Sequence, residues 1–268
     1  MKTKITALAA AIAVSLSMGA SADPRSPNYE HDGNIFNGGS GAFASQEGIR
    51  AGMNGYPSQG QDAGVRWSEI TQSGGNNNTA AATQMGHQQY SRIVQTNGDD
   101  NQAYVRQGIA GGNDEKNESV VIQRDGDLNE ARVTQTGNFN DSYVRQLGSG
   151  NKATVDQLNN SDYSDSIIYQ TGNDNEATVL QRDNTDETWS FVAQYDDGHE
   201  ANITQVRANN SASYVFQAGH EGHKATVVQR DEANSLSMIR QNTNMGGAAV
   251  ASHTQVNGSG NYASTIQW

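Results

Sequence analysis

Gln146-Leu147-Gly148-Ser149-Gly150-Asn151-Lys152-Ala153-Thr154-Val155-Asp156-Gln157 contains the unit from which most of this chain is made. A short alternating segment closes on Gln146, Gly148 to Asn151 supply a turn, and a second alternating segment closes on Gln157. The same arrangement runs from Ser68 to the last residues. Its closing glutamines are Gln72, Gln84, Gln95, Gln107, Gln123, Gln135, Gln146, Gln157, Gln170, Gln181, Gln194, Gln205, Gln217, Gln229, Gln241, Gln255 and Gln267, seventeen positions mostly 11 to 13 residues apart. A period held this long identifies one supersecondary unit stacked on itself.

Counting back from the glutamines, the fourth residue before each alternates between Ser and Ala, from Ser68 and Ala80 through to Ser237 and Ala251. Only Ala263 stands where Ser is due. Two arms therefore make one repeat of about 23 residues, and the arms together make about eight and a half repeats. Two residues before most glutamines stands Ile or Val, as at Ile93, Val155 and Ile203. Ser or Ala, then Ile or Val, then Gln fall at alternate positions, which is one face of a strand. β-branched residues at the middle position favour strand over helix. The residues between them, including Arg106, Arg132, Tyr104, Tyr143 and Tyr214, are predicted to face water.

Gly148-Ser-Gly-Asn151, Gly172-Asn-Asp-Asn175 and Asp196-Asp-Gly198 supply turn residues that tolerate positive φ. Each repeat thus reads strand, turn, strand, turn. Stacking equivalent arms predicts an all-β fold, a β-solenoid of two parallel sheets that becomes cross-β when polymerised. An unpartnered buried amide costs on the order of 2 kcal/mol or more. At a strand spacing of roughly 4.8 Å, each Gln amide can donate to one neighbour and accept from the other. Such a ladder works only when the neighbours are also Gln, so it selects identical register. Asn101, Asn129, Asn151, Asn175 and Asn261, each two residues before its Ala, are expected to form a second ladder at the strand entrance. Acidic residues crowd the turns, among them Asp99, Asp125, Asp127, Asp183, Asp197 and Asp231. Stacked like charges there are expected to slow premature assembly. Two stretches loosen the period, through Gly111 to Lys116 and through Met245 to Ala249, and His253 takes a core position.

Composition agrees with a thin core. Hydrophobic residues make up 34% and mean hydropathy is -0.75. Lys2 and Lys4, an apolar run to Leu16 and Ala20-Ser21-Ala22 predict a signal peptide over residues 1–22, cleaved between Ala22 and Asp23. Residues 23–65 carry no period and are rich in Gly, with all three prolines of the chain, and are expected to be a flexible leader. Residues 66–268 are the repeat region. Removing residues 1–22 takes two lysines and no acids, leaving 15 basic against 29 acidic side chains, a net charge of -14. Such a balance argues against nucleic-acid binding, which wants a basic face. The absence of cysteine excludes disulfide staples and thiol chemistry.

A soluble solenoid normally protects its end strands, because a bare edge recruits other chains. Here the last arm, Ala263 to Gln267, is followed by Trp268 alone, so both edges are expected to stack head to tail into a homopolymer.

The Gln-x-Gly-x-Gly-Asn-x-Ala-x-x-x-Gln string at 146–157 resembles the curlin repeat of bacterial curli subunits residue for residue. The Ser-x5-Gln half recurs at Ser164–Gln170, Ser211–Gln217 and Ser235–Gln241. The resemblance covers residues 66–268, and residues 23–65 look like the family's leader. It implies secretion through a dedicated outer-membrane pore, nucleation by a companion subunit, and fibres at the surface of a Gram-negative-type bacterium that serve adhesion, aggregation and the biofilm matrix. The chain has more repeats than the familiar subunits. Its acidic turns and the lack of a basic final repeat favour the major subunit. The alternatives are a nucleating minor subunit and a soluble β-solenoid adhesin or binding module. No catalytic constellation stands outside the repeat. The residues call for no cofactor and no metal, His220 and His223 occupying turn positions, and His199 and His223 standing where Asn is due at the strand entrance. No segment beyond the first residues reads as a membrane-spanning helix.

Overall fold

A computed structural model describes residues 66–268 apart from 88, 111, 113, 115, 116, 220, 221 and 243–246. The signal peptide and leader expectations, with cleavage between Ala22 and Asp23, fall outside the described residues.

Strands form wherever the two-residue alternation runs between turn residues. Nine build one sheet: β1 (Trp67–Ser73), β3 (Tyr90–Thr96), β5 (Glu118–Arg124), β7 (Asp141–Leu147), β9 (Asp165–Thr171), β11 (Trp189–Tyr195), β13 (Ala212–Ala218), β15 (Leu236–Asn242) and β17 (Tyr262–Gln267). Eight build the other: β2 (Thr79–Gln84), β4 (Gln102–Gln107), β6 (Glu130–Gln135), β8 (Lys152–Leu158), β10 (Glu176–Arg182), β12 (Glu200–Val206), β14 (Lys224–Ala233) and β16 (Val250–Ser259). Each strand pairs in parallel with the strands two before and two after it, so the chain alternates between an odd and an even sheet at every arm. The protein is a β-solenoid.

Register is constant. Gln146 lies opposite Gln170 in the odd sheet and Gln157 opposite Gln181 in the even one. The inner faces meet in a thin core of Ile and Val with the even-sheet alanines, including Ile93, Val105, Val144, Ala153, Val155, Ile168 and Ala177. Because identical residues stack, packing is uniform along the axis, and one misplaced arm would turn its inner set outward.

The turns use left-handed backbone at Asn and Asp as well as Gly, for example Asn97 (φ 56), Asp125 (φ 54) and Asp183 (φ 63). Gly148 (φ 98) is required twice over, since a Cβ there would collide with the carbonyl oxygen of Gly172 in the next turn. A narrow third ladder links turn residues Asp162, Asp186, Asn209 and Ala233 by parallel bridges.

The outer faces differ from expectation. Tyr104 in the even sheet is 39% exposed, as a water-facing residue should be, but Tyr143 in the odd sheet is only 4% exposed. Tyr214 is half-buried. The physical reason is that the outward positions of the odd strands carry a second apolar cluster, with Val120, Ile167, Trp189 and Leu236 in it. Among the described residues no helix is long and apolar enough to cross a membrane.

Candidate functional site

The glutamines closing each strand form two continuous ladders. In the odd sheet Nε2 of Gln72 donates to Oε1 of Gln95 at 2.6 Å, and the chain of amides continues through Gln123, Gln146, Gln170, Gln194, Gln217, Gln241 and Gln267. In the even sheet Gln84 donates to Gln107 at 3.0 Å, and the ladder continues through Gln135, Gln157, Gln181, Gln205, Gln229 and Gln255. Every rung donates toward the C-terminal end of the solenoid, so both ladders are polar.

The second proton of each amide has a use that the sequence pattern does not announce. Gln107 Nε2 also donates to the carbonyls of Tyr90 and Asn117, and Gln170 Nε2 to those of Lys152 and Asn175. Each Gln therefore clips its own arm to the backbone of the opposite sheet. Only an NH2 group can face those carbonyls, which settles the orientation of the amide. A buried ladder satisfied on every side is cooperative and intolerant of a gap.

The asparagines divide into two rows. Asn101, Asn129, Asn151 and Asn175 form one: each backbone N–H donates to Oδ1 of the previous member, beginning from Asn78, at 2.9 to 3.2 Å. Asn261 does not join them. It lies at the entrance of β17 in the other row, where its N–H donates to Ser235 Oγ at 3.2 Å and where Asn117 and Asn140 occupy equivalent places. The shift follows from the sheet in which β17 lies. The first row passes into His199 and His223, whose buried rings stack at 5.0 Å. Nδ1 of His199 accepts the N–H of His223 at 3.1 Å, while its Nε2 lies 2.7 Å from the Tyr195 carbonyl. A backbone donor at Nδ1 and a carbonyl at Nε2 require the neutral tautomer with its proton on Nε2. Burial pushes the His199 pKa down, in accord with that geometry. Nδ1 of a neutral His thus replaces Oδ1 of Asn at the strand entrance, where the sequence pattern puts His199 and His223 in the place of Asn.

His253 sits in the core and bridges the sheets, 2.8 Å from Ser237 Oγ through Nδ1 and 2.8 Å from Thr265 Oγ1 through Nε2. Burial lowers its pKa too. The turn carboxylates act mainly as acceptors: Asp125 and Asp197 receive the side-chain amides of Asn97 and Asn173, and Asp231 pairs with Arg207. Like charges stack as well, at Asp99 and Asp127 for example, and there the Asp99 N–H donates to the Asp127 carboxylate at 2.7 Å.

The fold and its ladders define a polar, in-register β-solenoid with paired amide ladders. Residues 75–108 and 126–158 match the family model of the curlin associated repeat. Over those residues the chain carries the curlin associated repeat. Among curated proteins no sequence matches it.

Proposed function

We propose that this protein is the major structural subunit of an extracellular curli-type fibre, polymerised head to tail in cross-β form. The observation that carries the reading is the polarity of the two Gln ladders. Gln255 and Gln267 at one end accept at Oε1 from the rung before, Gln72 and Gln84 at the other donate from Nε2 to the rung after, and the same sense continued past either end pairs an Nε2 donor with an Oε1 acceptor. Among the described residues no strand lies beyond β1 and β2 or beyond β16 and β17. Edges of identical repeat and opposite hydrogen-bonding sense complement one another, and a repeating head-to-tail contact builds a filament. Export by a signal peptide, passage through an outer-membrane pore, seeding by a nucleator subunit, and adhesion within a biofilm belong to the same proposal.

The test is refolding of residues 23–268 from denaturant at micromolar concentration, followed by amyloid-dye fluorescence and fibre diffraction. The expected result is a lag, growth accelerated by seeds, and a meridional reflection near about 4.7–4.8 Å. A monomer with stable β circular dichroism would overturn the reading in favour of a soluble solenoid module.

A further inference from the structure

We infer that successive copies stack with a half-turn about the long axis, so that the even sheet of one copy continues into the odd strands of the next. This inference rests on the polymeric reading above and adds to it the geometry of the joint.

The first observation is a mismatch of level. Among the described residues the odd sheet has nine strands and the even sheet eight, so β17 stands one strand beyond β16. A copy added without rotation places its β1 on β17. Its β2 then lies one level above the vacant place over β16. The even sheet would carry a strand-wide gap above His253 and Gln255, in the middle of a core that is continuous everywhere else. Buried amides facing a void lose their partners, the most expensive defect a ladder of this kind can hold. A copy turned by half a revolution sets β1 on β16 and β2 on β17, and no gap remains. It continues the alternation by which each arm already follows the last.

The second observation is the sequence of β17 and its turn. Gly258-Ser259-Gly260-Asn261-x-Ala263-x-x-x-Gln267 repeats the string Gly148-Ser149-Gly150-Asn151-x-Ala153-x-x-x-Gln157. The latter feeds β8 of the even sheet, yet β17 lies in the odd sheet. A half-turned copy brings β2, an even-type arm, onto it. Asn78 then stacks on Asn261, Ala80 on Ala263 and Gln84 on Gln267. Within one copy the Asn101 N–H donates to Asn78 Oδ1 at 2.9 Å, and Asn261 offers its Oδ1 to the N–H of the incoming Asn78 in the same sense. Without rotation Asn261 would meet Arg66, and Ala263 would meet Ser68. The exception to the Ser/Ala alternation is thereby explained: Ala263 matches the arm that lands on it. On the other sheet Gln72 stacks on Gln255, with Ser68 over Ala251 as the one exchange of type.

The protein has no cysteine, so paired cysteines can report the joint. With Gln72 over Gln255, Thr71 lies over Thr254, and both are exposed on outer faces. With Gln72 over Gln267, Thr71 lies over the exposed Ile266. Neighbouring strands bring such pairs within the roughly 4.4–6.8 Å Cα separation that a disulfide spans. Within one copy the same pairs are roughly 40 Å apart at about 4.8 Å per strand, so every bond formed is between copies. Thr71→Cys/Thr254→Cys and Thr71→Cys/Ile266→Cys are each assembled in reductant, shown to bind amyloid dye, and oxidised. The expected result is a ladder of covalent multimers from the first pair and less than a tenth as much from the second. Multimers from the second pair only, or from neither pair in dye-positive fibres, overturn the half-turn while leaving polymerisation standing. Failure of the unsubstituted protein to form fibres removes both.

Discussion

The two sheets share an inner face and differ on the outer one. At equivalent outward positions the odd strands carry Tyr143, Ile167, Phe191 and Tyr214, and the even strands Thr154, Thr178, Asn202 and Thr226. The odd set is drawn together by aromatic contacts, such as Tyr143 with Tyr169 at 5.4 Å and Phe191 with Tyr214 at 6.2 Å. The even set sits among exposed charges, with Lys152 near Glu176 at 3.7 Å and Lys224 near Glu200 at 2.7 Å. Within each sheet the inner ladder demands Gln at every closing position because each rung must match the next. The outer positions carry no such demand, so burial alone separates them. One solenoid therefore has a closed apolar side and a hydrated, charged side.

Replacing the same kind of position on both sides breaks the comparison most sharply. Ile167→Ala, at a site with 0% exposure, is expected to destabilise the fold by about 2–5 kcal/mol. Thr178→Ala, at the equivalent outward position of the next strand on the charged side, should stay within about 0.5 kcal/mol. Urea denaturation of the two variants measures the difference, and equal losses would mean that the odd outer face is no more buried than the even one.

The inner ladders provide the converse. Gln170→Ala and Gln181→Ala, one in each sheet, each break an amide ladder and remove a bond to an opposite-sheet carbonyl, that of Lys152 or Asp165, at about 1–3 kcal/mol for each group left unsatisfied. Their losses should agree closely in the same denaturation experiment. A large inequality would show that the two ladders are not equivalent.

A smaller effect concerns pH. The folded-state pKa values of His199 and His253 lie below the ordinary value of about 6.5, chiefly because burial disfavours the charged ring. Below about pH 6.5 the unfolded chain binds protons that the folded one does not, so stability falls as pH drops toward the lower folded values and is complete above that range. Protonating His199 would also set an N–H against the N–H of His223, although Asp196 and Asp197 nearby partly favour the charge. Hydrogen exchange should show the turns before β12 and β14 losing protection between pH 7 and 5. The His199→Asn/His223→Asn variant, with the acceptor of the other rungs restored, should lose less. Equal loss in both proteins would remove the histidines as the cause.

Much of this architecture is legible along the chain. The recurrence of Gln146 and Gln157, with Val144 and Val155 two residues before them, reveals the strands, their inner face and their stacking. That is possible because the interactions concerned repeat in sequence with the same period as in space. The row of Asn and His is legible as a set of positions, since His199 and His223 stand where Asn is due; that Nδ1 of a neutral ring accepts where Oδ1 does is seen only in the structure. The cross-sheet bonds from Gln107 to the Tyr90 and Asn117 carbonyls leave no mark at all, since a backbone carbonyl has no residue type.

The sequence by itself determined the period, the parallel register and the residues that face inward, because an amide ladder tolerates only its own kind above and below. Only the tertiary structure decided which sheet the exceptional last arm enters, and with it the row in which Asn261 stands, and the burial of Tyr143. Those depend on the count of arms and on which outward neighbours gather on one side, quantities that arise when separate turns of the chain are brought together.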